Sequence, residues 1–247
     1  MKLEGKRIIV TGAATGIGRA TALEVAARGA IVAAFDVNDA DGTTVVEAIS
    51  AAGGTARYWH VDVIAEAAVE AAVAEATAWL GGGPDVLLHL AGIMQGPNVD
   101  IADFSEAVWD AVIDVNLKGS FLVSKHVATR MRENGAGAIV LTASGAGVTG
   151  PSSSYAYGSS KGGVHGLAMV LTGFLAPHGL RINDVCPGNV ETPLLLASLE
   201  ESYRRTGDRA AYDTRMGTLV PPERIAKVYA WLASDDAADV KGTIFTR

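Results

Sequence analysis

Arg7-Ile-Ile-Val-Thr-Gly-Ala-Ala-Thr-Gly-Ile-Gly18 is the stretch that decides the fold. An apolar run, Arg7-Ile-Ile-Val10, enters a turn with glycines at 12, 16 and 18. Residues 19–28 beyond it carry apolar side chains at helical spacing. Glycine permits backbone angles and close approaches that a side chain blocks. The helix N-terminus after Gly18 offers free amide groups to negative charge. Strand, glycine turn and helix in that order predict a cradle for a dinucleotide pyrophosphate, built from Gly12, Thr15, Gly16, Ile17 and Gly18. The spacing is G-x-x-x-G-x-G, not the commoner G-x-G-x-x-G, so the flanking strand and helix carry the reading.

The same alternation continues along the chain. Short runs at 8–10, 31–35, 58–61, 86–90, 139–142 and 182–185 are apolar at nearly every position, which predicts strands buried on both faces of a parallel sheet. Amphipathic stretches of helical length lie between them, 19–28 and 66–80 among them. Gly29 is placed to close the first at a C′ position, and Gly81-Gly-Gly-Pro84 to end the second. No Pro/Ser-rich linker or charge block marks a boundary. The expectation is one α/β domain over 1–247, a doubly wound Rossmann-type parallel sheet with helices on both faces. Only 193–222 breaks the rhythm. It is too long for an ordinary connection, and reads as a substrate-binding lid or as a pair of exposed helices.

Composition excludes some classes. A net charge of −7 argues against a nucleic-acid surface. One cysteine, Cys186, rules out an intramolecular disulfide and suits a cytoplasmic chain. Met1 to Arg7 shows no signal-peptide hydrophobic region, and no apolar stretch is long enough to span a bilayer.

Asp36 follows the second strand, eighteen residues beyond Gly18, where a carboxylate can accept hydrogen bonds from an adenosine ribose and repel an added phosphate. Ala13, Ala14, Thr15 and Val37 offer no cation to such a phosphate. The cofactor expected is therefore NAD. The plainer reading is that Asp36 begins the turn Asp-Val-Asn-Asp.

Further along, Tyr157 and Lys161 stand four apart on a helical stretch and share a face, with Ser144 after a buried strand. A free tyrosine titrates near pH ~10. A neighbouring ammonium is expected to lower that value and make the phenol a usable proton acceptor.

With these residues in place, the chain resembles the short-chain dehydrogenase/reductase family over nearly its whole length. Gly12, Gly16 and Gly18 fit its glycine motif, Asp62-Val63 its adenine-contacting pair, and Ala91-Gly92 the end of its Asn-Asn-Ala-Gly element. Asn116, Ser144, Tyr157 and Lys161 fit its catalytic tetrad. Pro187, Gly188, Val190 and Thr192 fall in the Pro-Gly-x-x-x-Thr segment that wraps the nicotinamide. The resemblance implies hydride transfer between the nicotinamide and a secondary alcohol or ketone. Tyr157 would move the proton and Ser144 orient the substrate oxygen. Lys161 would lower the tyrosine pKa and hold the ribose, and Asn116 would keep a relay water. It also implies a homotetramer or homodimer.

Two departures stand out. His89-Leu90 replaces the two asparagines, and His89 reads as a structural substitute that ties neighbouring strands, not as a metal ligand; no metal is expected. The sequence stops at Arg247, where the family commonly continues with Asp-Gly-Gly and a tail. The substrate pocket is expected to be lined by 93–98, 146–152 and 193–222, with Gln95 and residues 152–154 offering hydrogen bonds. Arginines 204, 205, 209 and 215 either meet an anionic substrate such as a sugar acid or pair with Glu200, Glu201, Asp208 and Asp213. The polyol, sugar, sugar-acid and hydroxysteroid classes stay open. An NADP-linked 3-oxoacyl-type carbonyl reductase and a non-catalytic NAD sensor are the competing readings.

Overall fold

The computed structural model describes residues 2–246. Seven parallel strands form one sheet: β1 (Arg7–Thr11), β2 (Ile31–Asp36), β3 (Thr55–His60), β4 (Val86–His89), β5 (Gly137–Thr142), β6 (Leu180–Cys186) and β7 (Gly242–Phe245). Their spatial order is β3-β2-β1-β4-β5-β6-β7. The chain runs outward from β1 to β3, then returns to pair β4 on the other side of β1. In register, Thr11 of β1 faces Phe35 of β2 on one side and His89 of β4 on the other. This reversal opens a crevice at the carboxyl ends of β1 and β4, where open α/β sheets place their ligands.

Alternation of side chains along each strand feeds two cores. Ile8 and Val10 point into one with α1 (Gly16–Ala26), α2 (Asp39–Ala51) and α10 (Pro222–Ala233). Ile9 points into the other with α3 (Glu66–Trp79), α5 (Gly119–Asn134) and α7 (Tyr155–Leu175). All three β1 side chains are fully buried. Each contributes about 1.5–3 kcal/mol of hydrophobic stabilisation, so β1 is clamped from both faces. The doubly wound parallel sheet predicted from the apolar runs is the fold observed.

Two local details differ. The third strand runs Thr55–His60, and of its side chains only Trp59 is buried. It is the edge strand, with β2 on one side alone, so it is not covered like the centre. Helix α1 ends at Ala26 with Ala27 as its cap, which puts Gly29 (φ +94°) one position beyond C′.

The region 193–222 is helical. Thr192 caps α8 (Pro193–Thr206) by accepting a hydrogen bond from Leu195, and Gly207 (φ +67°) ends it. Asp208 then caps α9 (Arg209–Met216). A bridge between Val190 and Val220 brings the segment back beside the loop after β6. Helix α4 (Glu106–Ile113) runs into α5 through a π-turn, Asp114–Lys118, which contains Asn116; Asp114 and Lys118 pair across that turn at 3.6 Å. The single turn α6 (Gly145–Val148) follows β5. Arg247, on which the reading of the chain's end rested, lies outside the described residues.

Candidate active site

The crevice is a cavity of about 650 Å³. Its floor is the glycine turn between β1 and α1. Gly12 and Gly16 have φ of +65° and +53°. A side chain on Gly12 would meet the Ala91 backbone nitrogen at 2.7 Å, and one on Gly18 would collide with the Gly12 carbonyl at 1.9 Å. The turn is therefore packed to backbone contact, and a ligand can approach its main chain directly. Thr15, at the N-cap of α1, makes no side-chain cap, so the first-turn amides stay open to an anion. These features fit a dinucleotide pyrophosphate.

Asp36 stands in the wall at the end of β2. Its carboxylate accepts hydrogen bonds from Ala14 at 2.9 Å, Val37 at 2.8 Å and Asn38 at 3.0 Å. It both begins its own turn and ties that turn to the glycine loop. Two carboxylate oxygens offer about four acceptor sites. With three in use, capacity remains for a ligand hydroxyl.

Tyr157 and Lys161 line the cavity from the first turns of α7, and Ser144 lines it from just beyond β5. Ser154 fixes the start of α7: its hydroxyl accepts from Tyr157 N and donates to the Gln95 carbonyl at 2.7 Å. Lys161 is buried and donates to the Thr142 carbonyl at 2.7 Å, with its Nζ 5.8 Å from the Tyr157 ring centroid. Burial pulls the Lys161 ammonium down to about 8. It pushes the Tyr157 phenol above its ordinary value, against the opposing hydrogen bond with Ser144. Lys161 is not among the groups that set the direction of the Tyr157 shift. Desolvation dominates, and the ammonium is committed to a backbone carbonyl.

Asn116 is buried, and its amide is taken up by protein: Oδ1 accepts from Ile93 N at 2.8 Å, and Nδ2 donates to the Ile93 carbonyl and to Ser160 Oγ, each at 2.9 Å. It clamps the segment leaving β4 to α7. A methyl group on Gly92 would stand 3.2 Å from Asn116 Oδ1 and 3.4 Å from Lys161 Nζ, so no side chain fits between them without displacement. His89 is buried, with Nδ1 2.8 Å from Thr11 Oγ1. That hydroxyl already accepts from Leu90 N and Ala91 N, so its proton is free for the ring. Burial lowers the His89 pKa to about 3, leaving a neutral ring that ties β1 to β4. Cys186 is buried and its thiol is pushed up to about 11, which suits packing.

Of the residues singled out in sequence, the glycine-turn set, Val63, Ala91, Gly92, Pro187, Gly188, Val190 and Thr192 all line the cavity. Asp62 does not; its carboxylate accepts from Ile64 N in its own turn, and Val61 lines the wall in its place. From 93–98 only Ile93 and Met94 reach the wall, and Ser154 is consumed as the α7 cap. Sequence reasoning missed Thr142, whose carbonyl takes the Lys161 ammonium, and assigned Ser154 to the substrate pocket where it caps α7. Ser154 alone left a signal, as a cap-forming residue three before Tyr157.

Residues 6–202 match the family model described as short chain dehydrogenase. The chain is 39% identical over 237 residues to cis-4-hydroxycyclohexanecarboxylate dehydrogenase of Sinomonas cyclohexanicum, covering 96% of this chain and 92% of that protein. It is 36% identical to (+)-borneol dehydrogenase 1 of Salvia officinalis over 98% of this chain and 91% of that one. Levodione reductase shares the fold with a TM-score of 0.91 at 32% identity, covering 98% of this chain and 96% of that one. The chain belongs to the short chain dehydrogenase family, oxidoreductases that bind a nicotinamide cofactor.

Proposed function

We propose that this chain is an NAD-linked dehydrogenase that interconverts a secondary alcohol and a ketone, with Tyr157, Ser144, Lys161 and Asn116 as its working residues. The observation that carries the reading is that Tyr157, Ser144 and Lys161 share one cavity with the glycine turn. A nicotinamide dinucleotide held by the glycine turn and by Pro187, Gly188 and Thr192 would supply the hydride chemistry. Tyr157 Oη takes the carbinol proton in oxidation and returns it in reduction. Ser144 Oγ, which lines the same cavity as the phenol, holds the substrate oxygen where charge develops. Lys161 would offer its ammonium to the cofactor's ribose, and Asn116 ties the segment leaving β4 to the helix that carries Tyr157 and Lys161.

NAD is favoured over NADP by Asp36. At its end of the cavity the neighbouring wall residues are Phe35, Val37, Val61 and Val63, none cationic. A 2′-phosphate there would meet a carboxylate and no counter-charge. The names of the relatives favour a ring-bearing secondary alcohol, a narrower class than the sequence left open. Met94, Leu194 and Leu195 supply an apolar wall to receive it, with α8 and α9 as the lid. Exposed Trp109, Phe121, Met169, Val170 and Phe174 lie on α4, α5 and α7, helices packed on one another. They support assembly into the homotetramer or homodimer, and a solution mass of one 25.4-kDa chain would contradict it.

The test is NADH formation across polyols, sugars, sugar acids, hydroxysteroids, 3-hydroxyacyl thioesters and cyclic alcohols, repeated with NADP. Turnover of a cyclic secondary alcohol with NAD preferred is the expected result. Preference for NADP with an acyl thioester would replace the reading with a carbonyl reductase. Dinucleotide binding without turnover of any alcohol would point to a sensor.

A further inference from the structure

Four arginines occupy α8 and α9, and the structure separates them. Arg204, Arg205 and Arg209 each have a carboxylate partner one helical turn away, in Glu200, Glu201 and Asp213. Such exposed pairs are worth little and neutralise the arginine locally. Arg215 differs in two respects: it lines the cavity that holds Tyr157 and Ser144, and among the described residues it has no ion-pair partner.

Neutral groups hold it in place. Arg215 Nη1 donates to Asn189 Oδ1 at 2.9 Å, Asn189 Nδ2 donates to Thr218 Oγ1 at 2.8 Å, and Thr218 Oγ1 donates back to the Arg215 carbonyl at 2.8 Å. This closed ring joins the end of α9 to the loop after β6, beside the Val190–Val220 bridge. It uses one of five guanidinium donors and brings no carboxylate to the charge, on a side chain that is itself exposed. The charged side chains in the cavity wall are Asp36, Lys161 and Arg215. Asp36 is engaged with backbone amides, and Lys161 is buried on the Thr142 carbonyl. Arg215 is the one contributed by the lid helix α9 with donors to spare, in a cavity that the apolar Met94, Leu194 and Leu195 also line.

We propose that Arg215 is a specificity-determining residue that binds a carboxylate on the substrate, so that the preferred substrates are hydroxy acids and keto acids with an apolar skeleton. This rests on the substrate reaching the cavity of the proposed dehydrogenase. A planar guanidinium with adjacent free donors suits a carboxylate, and one charge-assisted contact of this kind is worth roughly 10- to 100-fold in affinity. The skeleton lies along the leucines while the carbinol meets Ser144 and Tyr157.

The test compares 4-hydroxycyclohexanecarboxylate, its methyl ester and cyclohexanol as substrates of the wild type and Arg215→Met. In parallel, binding of cyclohexanecarboxylate to the NAD-loaded proteins is measured by calorimetry. The expected result is a KM for the acid raised roughly 10- to 100-fold in the variant, with KM for cyclohexanol and for NAD unchanged. Carboxylate binding should weaken by the same factor. An equal loss for acid and cyclohexanol, or a KM rise for NAD alone, would overturn the proposal, the latter by assigning Arg215 to the dinucleotide. Absence of carboxylate binding to the wild type would overturn it too. Carboxylate binding that depends on Arg215 without turnover would uphold this inference while contradicting the dehydrogenase reading.

Discussion

Lys161 carries the sharpest conflict between sequence and environment. Its ammonium is buried with one carbonyl partner, so the folded state disfavours the charge and the pKa falls from 10.5 to about 8. The sign of the linkage follows. Below pH 8 the lysine is charged in both folded and unfolded chains, and the burial cost is fully present. Between pH 8 and 10 the unfolded chain binds the proton that the folded chain has released, so this group's contribution to stability rises with pH by about 1.4 kcal/mol per unit. Chemical denaturation of wild type and Lys161→Met across that range should show the rise in the wild type alone; parallel curves would contradict the burial argument. Tyr157 behaves oppositely in effect. Its raised pKa keeps the phenol protonated at neutral pH, the form that donates in ketone reduction. Alcohol oxidation should therefore accelerate as pH rises through the alkaline range while reduction slows. A pH profile flat in both directions would remove Tyr157 from the proton path.

At the scale of elements, the site is the meeting of three segment ends: the glycine turn after β1, the stretch leaving β4 and the first turns of α7. Asn116 joins the last two from inside the π-turn. Such local widenings of a helix occur often at functional positions. Asn116→Ala would leave the part-buried Ile93 amide without its partner and remove one hydrogen bond from the buried Ser160 hydroxyl, at a total cost of about 1–3 kcal/mol. The expected outcome is a lower denaturation midpoint and slower turnover, with NAD affinity less affected because Gly12, Gly16 and Gly18 remain. Unchanged stability would mean that the clamp is not what the Asn116 amide provides. The glycine turn and the Tyr157–Lys161 pair were legible in sequence because their geometry is local, set by spacing along one strand, turn or helix. The exposure of β3 was not, since it depends on strand order. Nor were the partners of Lys161 and Arg215, which come from Thr142 and Asn189, residues nineteen and twenty-six positions away.

The whole molecule is a sheet clamped between two helical layers, with its cleft where the strand order reverses. Two rigid cores hold the backbone around the cleft, while α8 and α9 lie over it on one side. Among the described residues no helix is long and apolar enough to cross a membrane, and no three His, Cys, Asp or Glu side chains gather as a metal site. The most direct test is paired: steady-state oxidation of a cyclic secondary alcohol with NAD, and NAD binding by calorimetry, in wild type and Tyr157→Phe. Turnover in the variant should fall by at least about 100-fold, the lower range for loss of a positioned acid–base group, with the NAD dissociation constant within about twofold. Turnover retained in Tyr157→Phe, with NAD still bound, would contradict it.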